Sequence, residues 1–234
     1  MNGIARDVGV VIVAAGKGTR VGGAELKQFR WVAGKPMLLH SLQTFMQRPD
    51  VAMVVCVLPR EYAGDPPPWI FQCDIDRLLV AAGGRERGDS VLAGLEDLPP
   101  EVRIALVHDA ARPFVEQAVI DRVIAAARAG DGAVPALPLH DTLKRADDEG
   151  IVSATVPRDG LWRAQTPQGF PRAMLEQAYR EARAQQIHAT DDAALCERLG
   201  LRVRIVAGSE RAMKITDESD FTRAESLAPP PVKA

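Results

Sequence analysis

The sequence predicts an α/β fold in which a mostly parallel sheet is covered by helices on both faces and carries a projecting β-hairpin arm. Three observations lead there. Short runs of β-branched and small apolar residues (Val10–Ala14, Val51–Leu58, Leu78–Ala81, Ile104–Val107, Gly132–Leu139) recur with helical patterns between them. That alternation builds parallel sheets buried on both faces. The first run ends in a glycine-rich loop. Past residue 140 the alternation gives way to two extended pieces, Asp141–Arg145 and Ile151–Pro157, about a polar turn, which predicts the arm at about 140–160.

Composition sets the bounds. The chain has 234 residues, 47% of them hydrophobic, enough for one domain with a sizeable core. Residues 1–227 are expected to form that domain, with no full second enzyme domain, and Ala228–Ala234 a disordered tail. A net charge of −2 argues against a general nucleic-acid binder. Cys56, Cys73 and Cys196 lack metal-ligand or disulfide spacing, so core packing is expected of Cys56 and Cys196. No apolar run reaches the ~18 residues of a membrane span, and the N-terminus has no signal-peptide pattern. The expected location is cytoplasmic, with no membrane partner.

The first strand stops at Gly16. Gly18, Gly22 and Gly23 follow, with Lys17, Arg20, Lys27 and Arg30 on or just after the loop. Glycines let backbone N–H groups approach an anion and the cations neutralise it, so the stretch reads as a phosphate grip. The bland alternative is a basic, glycine-rich surface loop. Gly16-Lys17-Gly18-Thr19 has the composition of a P-loop but not its order. Gly16, Gly18 and Gly22 are spaced one residue too widely for a dinucleotide fingerprint, and Val51–Leu58 ends in Pro59, not in an acid.

The remaining elements follow in order. Pro36 sits where a helix can start, and Met37–Gln47 has helical apolar spacing. Glu61–Trp69 reads as a proline-rich bend without chemistry. A helix is expected from Asp89 to Leu98. Near its entry Ser90 is either a helix-start residue or a ligand contact, and Gly84 leaves room for a flat base. Asp109 follows the Ile104–Val107 strand, at the carboxyl end where open α/β sheets place ligand chemistry. A carboxylate beside a triphosphate needs a hard cation between them, so Asp109 is a candidate Mg²⁺ ligand; capping the next helix is its other reading. His108 is expected to be structural.

Helices are also expected at Glu116–Ala129, Pro171–Ala184 and Ala193–Leu199, the last capped from Thr190-Asp191-Asp192. Arg163–Thr166 returns to the sheet and Val203–Val206 is a late strand. Lys214 lies between apolar Met213 and Ile215, so in an extended segment it faces away from the core, before a helix beginning at about Asp217. An isolated hairpin is marginally stable, so the arm predicts a homodimer.

Together these stretches resemble the 2-C-methyl-D-erythritol 4-phosphate cytidylyltransferase family. The carrying motifs are AAGKGTR (Ala14–Arg20), LKQF (Leu26–Phe29), GGRERGDSV (Gly83–Val91), VHDAARP (Val107–Pro113), DTLKR (Asp141–Arg145), TPQGF (Thr166–Phe170), TDDA (Thr190–Ala193) and MKIT (Met213–Thr216). They span nearly the whole chain. The resemblance implies a Rossmann-like nucleotidyltransferase fold. It also implies transfer of a cytidylyl group from CTP to the polyol phosphate, with release of pyrophosphate.

In that reading Ala14, Ala15, Gly16 and Gly18, with Gly84 and Ser90, hold the cytidine and phosphates. Arg20, Lys27 and Lys214 surround the triphosphate, with Arg20 and Lys27 catalytic. Asp109 serves Mg²⁺ and, with Arg112, the second substrate, which Thr142, Arg158 and Thr166 reach from the arm region across the dimer. Two positions depart from the family pattern: Leu26 replaces a usual proline, and Arg85 stands where an acid is often found. The rival readings are a cytidylyltransferase for ribitol 5-phosphate and a catalytically silent nucleotide-binding protein on the same fold.

Overall fold

The computed structural model describes residues 5–16, 25–187 and 189–228. The expected tail beyond Ala228, and Gly18 and Arg20 of the glycine loop, lie outside the described residues. Strand β1 (Val8–Val13) leads to a small hairpin, β2 (Trp31–Val32) with β3 (Lys35–Pro36), and to helix α1 (Met37–Met46). Next come β4 (Val51–Leu58), α2 (Arg60–Ala63), β5 (Leu78–Ala82), α3 (Arg87–Glu96), β6 (Ile104–Asp109), α4 (Gln117–Arg128) and β7 (Gly132–Pro138). The arm is β8 (Leu143–Ala146) with β9 (Val152–Val156). The chain closes with β10 (Trp162–Ala164), β11 (Gln168–Pro171), α5 (Arg172–Ala184), α6 (Asp192–Arg198), β12 (Val203–Ala207) and α7 (Glu218–Leu227).

The main sheet runs β10-β7-β11-β6-β1-β4-β5, with β12 also on β7. β6, β1, β4 and β5 are parallel neighbours, and β12 is parallel to β7. β11 is antiparallel to both β6 and β7. The sequence predicts no strand at Gln168–Pro171, because the segment is short and has glycine and proline in it. Gly169 is there for packing: a Cβ on it would collide with Val123 of α4 and stand 2.8 Å from Leu106 of β6.

Continuous apolar runs suit strands that have no solvent face. On β1, Val8, Val10 and Ile12 pack with Leu38, Leu42 and Phe45 of α1 and with Val119, Ile120 and Val123 of α4. Val11 points the other way, into the layer that holds Val91 and Leu95 of α3, Leu175 of α5 and Leu195 of α6. Full burial of each such side chain contributes about 1.5–3 kcal/mol. Cys56 and Cys196 are buried in these two layers.

Two local expectations shift, and the projecting arm stands as expected. The α3 helix begins two residues early, because Asp89 is not its first residue. Asp89 sits one turn in and accepts from the Glu86 backbone N–H at 3.1 Å, closing a capping box with Glu86 as N-cap. The bend at Glu61–Trp69 contains the α2 turn and the start of a 3₁₀ turn, Pro68–Gln72. Its Tyr62 and Trp69 meet the Phe29 ring edge-on at 5.1 and 5.6 Å, so it buttresses the Lys27–Phe29 turn. In the arm nearly every residue is exposed, including Ile151 and Val152.

Candidate active site

The carboxyl ends of β1, β5 and β6 open onto one cavity of about 420 Å³. It is lined by Ala14, Ala15 and Gly16, by Lys27 and Gln28, by Gly84 to Arg87 and Ser90, and by Asp109, Lys214 and Thr216. Eight of the residues singled out from sequence therefore share one wall: Ala14, Ala15, Gly16, Lys27, Gly84, Ser90, Asp109 and Lys214. Parallel strands bring this about, since every strand of one direction delivers its following loop to the same edge.

The β1 end is held from below. Gln28, itself buried, donates from Nε2 to the Ala14 carbonyl at 2.6 Å and to that of Gly16 at 3.2 Å. Among the described residues a Cβ on Gly16 would meet nothing within 4 Å. Lys27 donates to the Ile215 carbonyl at 2.7 Å, which ties its turn to the segment carrying Lys214.

Gly84 has a steric reason of its own. A Cβ there would collide with the Cβ of Asp89, so the capping residue by itself requires glycine at this position, which also lines the cavity. Ser90 is almost wholly buried, accepts from the Gly84 N–H at 3.2 Å and donates to the Glu86 carbonyl at 3.1 Å. It shapes the loop while lining the cavity.

Asp109 is the focus of charge. Lys214 donates to Oδ2 at 2.8 Å, Arg87 Nε stands 3.7 Å from Oδ1, and Arg112 Nε stands 3.8 Å from Oδ2. Burial alone raises a carboxyl pKa; here Lys214, Arg87 and Arg112 outweigh it and bring Asp109 down to about 2. Its backbone N–H donates to Thr166 Oγ1 at 3.0 Å. Thr166 Oγ1 also lies 3.1 Å from His108 Nδ1, and His108 Nε2 lies 3.2 Å from the Arg112 carbonyl. Burial lowers the His108 pKa to about 4, so the ring is neutral. A hydroxyl donating to Nδ1 and an Nε2–H donating to the carbonyl satisfy all the partners. Thr166 is thus buried behind Asp109, positioning its backbone.

Arg112 donates to the carbonyls of Ala212 at 2.7 Å and Ala164 at 3.3 Å. It lines an adjoining recess of about 230 Å³ with Arg163, Arg223, Met213 and Lys214, so Lys214 belongs to both spaces. Thr142 and Arg158 are exposed near the base of the arm and line neither space; Arg158 bonds the His140 carbonyl. One chain does not bring them to Asp109.

Among the described residues no group of three or more His, Cys, Asp or Glu side chains could hold a metal ion. A cation at Asp109 would take that one ionised carboxylate and fill its shell from phosphate oxygens and water, which is how Mg²⁺ commonly binds. The donor chemistry fits.

The family model for 2-C-methyl-D-erythritol 4-phosphate cytidylyltransferase matches residues 8–228. The chain belongs to this family. It is 44% identical over 223 residues to the 2-C-methyl-D-erythritol 4-phosphate cytidylyltransferase of Xanthomonas campestris pv. campestris (strain B100), covering 93% of this chain and 83% of that relative. It is 37% identical to the bifunctional enzyme IspD/IspF of Desulfotalea psychrophila, covering 93% of this chain but 56% of that protein. The chain thus spans about half the length of the bifunctional relatives it matches. Among solved structures, the family member from Thermus thermophilus superposes with a TM-score of 0.79 at 37% identity, over 93% of this chain and 96% of that one.

The reading from sequence also has gaps, of which Arg87 and Gln28 matter most. Arg87 and Gln28 line the cavity without having been singled out, although both lie inside quoted motifs, GGRERGDSV and LKQF. A glutamine between a lysine and a phenylalanine, buried at 4% exposure, was the available signal for Gln28 only once the fold was known.

Proposed function

We propose that this protein catalyses attack of the phosphate of 2-C-methyl-D-erythritol 4-phosphate on the α-phosphorus of CTP, giving 4-diphosphocytidyl-2-C-methyl-D-erythritol and pyrophosphate. The observation that carries the reading is the meeting of the Gly16 backbone, Lys27, Asp109 and Lys214 on one cavity in a chain of this family. The attacking oxygen is already ionised, so no side-chain nucleophile is required. What remains is to bring two anions together and neutralise the charge that gathers between them.

In this reading Ala14, Ala15, Gly16 and Gly18 cradle the nucleotide with Gly84 and Ser90. Lys27 and Arg20 stabilise the α-phosphate charge in the transition state, and Lys214 takes the remaining phosphates. Arg112 holds the second substrate in the adjoining recess, with Asp109, and Thr166 keeps Asp109 in place. Mg²⁺, when bound at Asp109, supplies charge neutralisation between that carboxylate and the phosphate oxygens. Thr142 and Arg158 act on the partner's site in a homodimer formed through the arm, whose exposed Ile151 and Val152 favour a covering surface. Residues 1–227 work as one domain and 228–234 as a tail. Among the described residues no helix is long and apolar enough to cross a membrane, and the reading places the enzyme in the cytoplasm.

The test is pyrophosphate release with CTP and Mg²⁺, comparing methylerythritol phosphate with ribitol 5-phosphate. Release with the first alone, and less with ATP, GTP or UTP, is expected. Release with ribitol 5-phosphate alone overturns the substrate, and CTP binding without release from either overturns the activity.

A further inference from the structure

Asp192 is a carboxylate with no solvent exposure, and capping α6 does not need it. Asp191 does that, accepting from the Ala194 N–H at 3.0 Å. Asp192 instead accepts from Arg87 Nη1 at 2.9 Å and Nη2 at 2.7 Å, and from the Tyr179 hydroxyl at 2.5 Å. A forked guanidinium on both oxygens of a buried carboxylate has little freedom, because moving it leaves an unpaired charge inside the protein. The third nitrogen of that guanidinium, Nε, faces Asp109 at 3.7 Å from inside the cavity.

Lys214 is the opposite kind of partner. Its side chain is 44% exposed, it holds the other oxygen of Asp109, and it borders both the cavity and the adjoining recess. Arg112, the third cation facing Asp109, is mostly buried, stands 3.8 Å from Oδ2 and is held by the Ala212 carbonyl at 2.7 Å. Of the three cations, Lys214 is the one that can change partners at small cost. Arg87 alone of the three faces Oδ1, so it is the counter-charge left on that oxygen when the ammonium leaves.

We propose that Asp192 and Tyr179 are positioning residues that lock Arg87 against Asp109 as a standing counter-charge, freeing Lys214 to pass from Asp109 to an incoming phosphate. Without the lock, Asp109 retains Lys214 and the nucleotide loses a cation. This rests on the reading of the cavity as a CTP site.

A double-mutant cycle on the full chain tests it, using Asp192→Asn and Lys214→Ala, with the CTP dissociation constant and kcat/KM measured for each. Asp192→Asn is expected to weaken both by roughly tenfold to a hundredfold, the scale of a buried hydrogen bond to a charged group. Lys214→Ala should then cost far less in the Asp192→Asn background than in the wild type, because groups in one network are non-additive. Tyr179→Phe leaves the Arg87 pair and should show the same coupling with a smaller loss; it carries the test if Asp192→Asn does not fold. Losses that simply multiply, or a lower thermal midpoint with unchanged kinetics and CTP binding, overturn the proposal. If the wild type binds CTP but releases no pyrophosphate, the assigned reaction fails while the binding cycle still decides the lock. A wild type that does not bind CTP overturns both.

Discussion

The two ends of the central sheet both carry clusters of charge, and they are built differently. At the amino ends of the strands, Arg48 grips Asp50 with two bonds of 2.9 and 2.8 Å and also reaches Asp121 at 2.8 Å. Arg77 pairs with Asp74 at 2.7 Å and donates to the Met46 carbonyl near the end of α1. Arg128 reaches Asp7 at 2.7 Å. Each of these arginines has a carboxylate at hydrogen-bond distance. At the carboxyl ends, three cations among the described residues face Asp109, and of these only Lys214 lies within hydrogen-bond distance of it. Arg87 has its own hydrogen-bonded carboxylate in Asp192, but Arg112 has none among the described residues, so three cations meet two carboxylates there. A network closed by pairs holds strands and helices together, whereas one with a positive charge to spare can accept an anion.

That contrast can be broken at either end. The largest effect is expected from Lys27→Ala, which should lower kcat by roughly 10²–10³ while changing CTP affinity much less. Steady-state kinetics with a separate CTP binding measurement decide it, and a pure KM effect removes the transition-state role. Next, Arg48→Met should destabilise the fold by about 3 kcal/mol, since it removes both hydrogen bonds from the mostly buried Asp50 and leaves it, among the described residues, only Arg128 at 3.8 Å, with kcat and KM as in the wild type. Denaturant unfolding beside the activity assay reads both, and lost kinetics in a folded variant would make the two edges alike.

The smallest effect concerns pH. The Asp109 pKa is lowered from 3.8 to about 2 on folding, by the neighbouring cations against the pull of burial. Its contribution is therefore complete above about pH 4 and is lost as pH falls through 2. Asp109→Asn should cost roughly 2 kcal/mol at pH 7, and the gap to the wild type should close between pH 4 and 2. Urea titrations at several pH values check the sign, and a constant gap would mean that the charge is not what Asp109 contributes to folding.

Much of this was legible in the residues. Val10–Ala14 and Ile104–Val107 are too uniformly apolar for half-exposed strands, so the loops after them had to meet at one edge. Lys214 between Met213 and Ile215 betrayed which way it points. Asp192 did not: its partner Arg87 lies 105 residues away, and the pattern TDDA reads first as a cap. Thr166 was hidden in a similar way. Its place under Asp109 follows from β11 running antiparallel beside β6, and nothing in a four-residue segment containing glycine and proline announces a strand. The steric need for glycine at Gly84 was unreadable for a further reason, since the atom it must avoid belongs to a helix cap that lies two residues from the expected start. Pairings within one element were readable, and those between distant elements required the topology.

The bond from Lys27 to the Ile215 carbonyl spans 188 residues. On the ribosome, elongating at about 5–20 residues per second, roughly ten to forty seconds separate the two ends of that bond. The amino-terminal strand and its basic loop therefore leave the exit tunnel long before the segment that completes the pocket has been translated. The nascent chain can bury much of its sheet during that wait, but the wall of the cavity that carries Lys214 is added only late in synthesis.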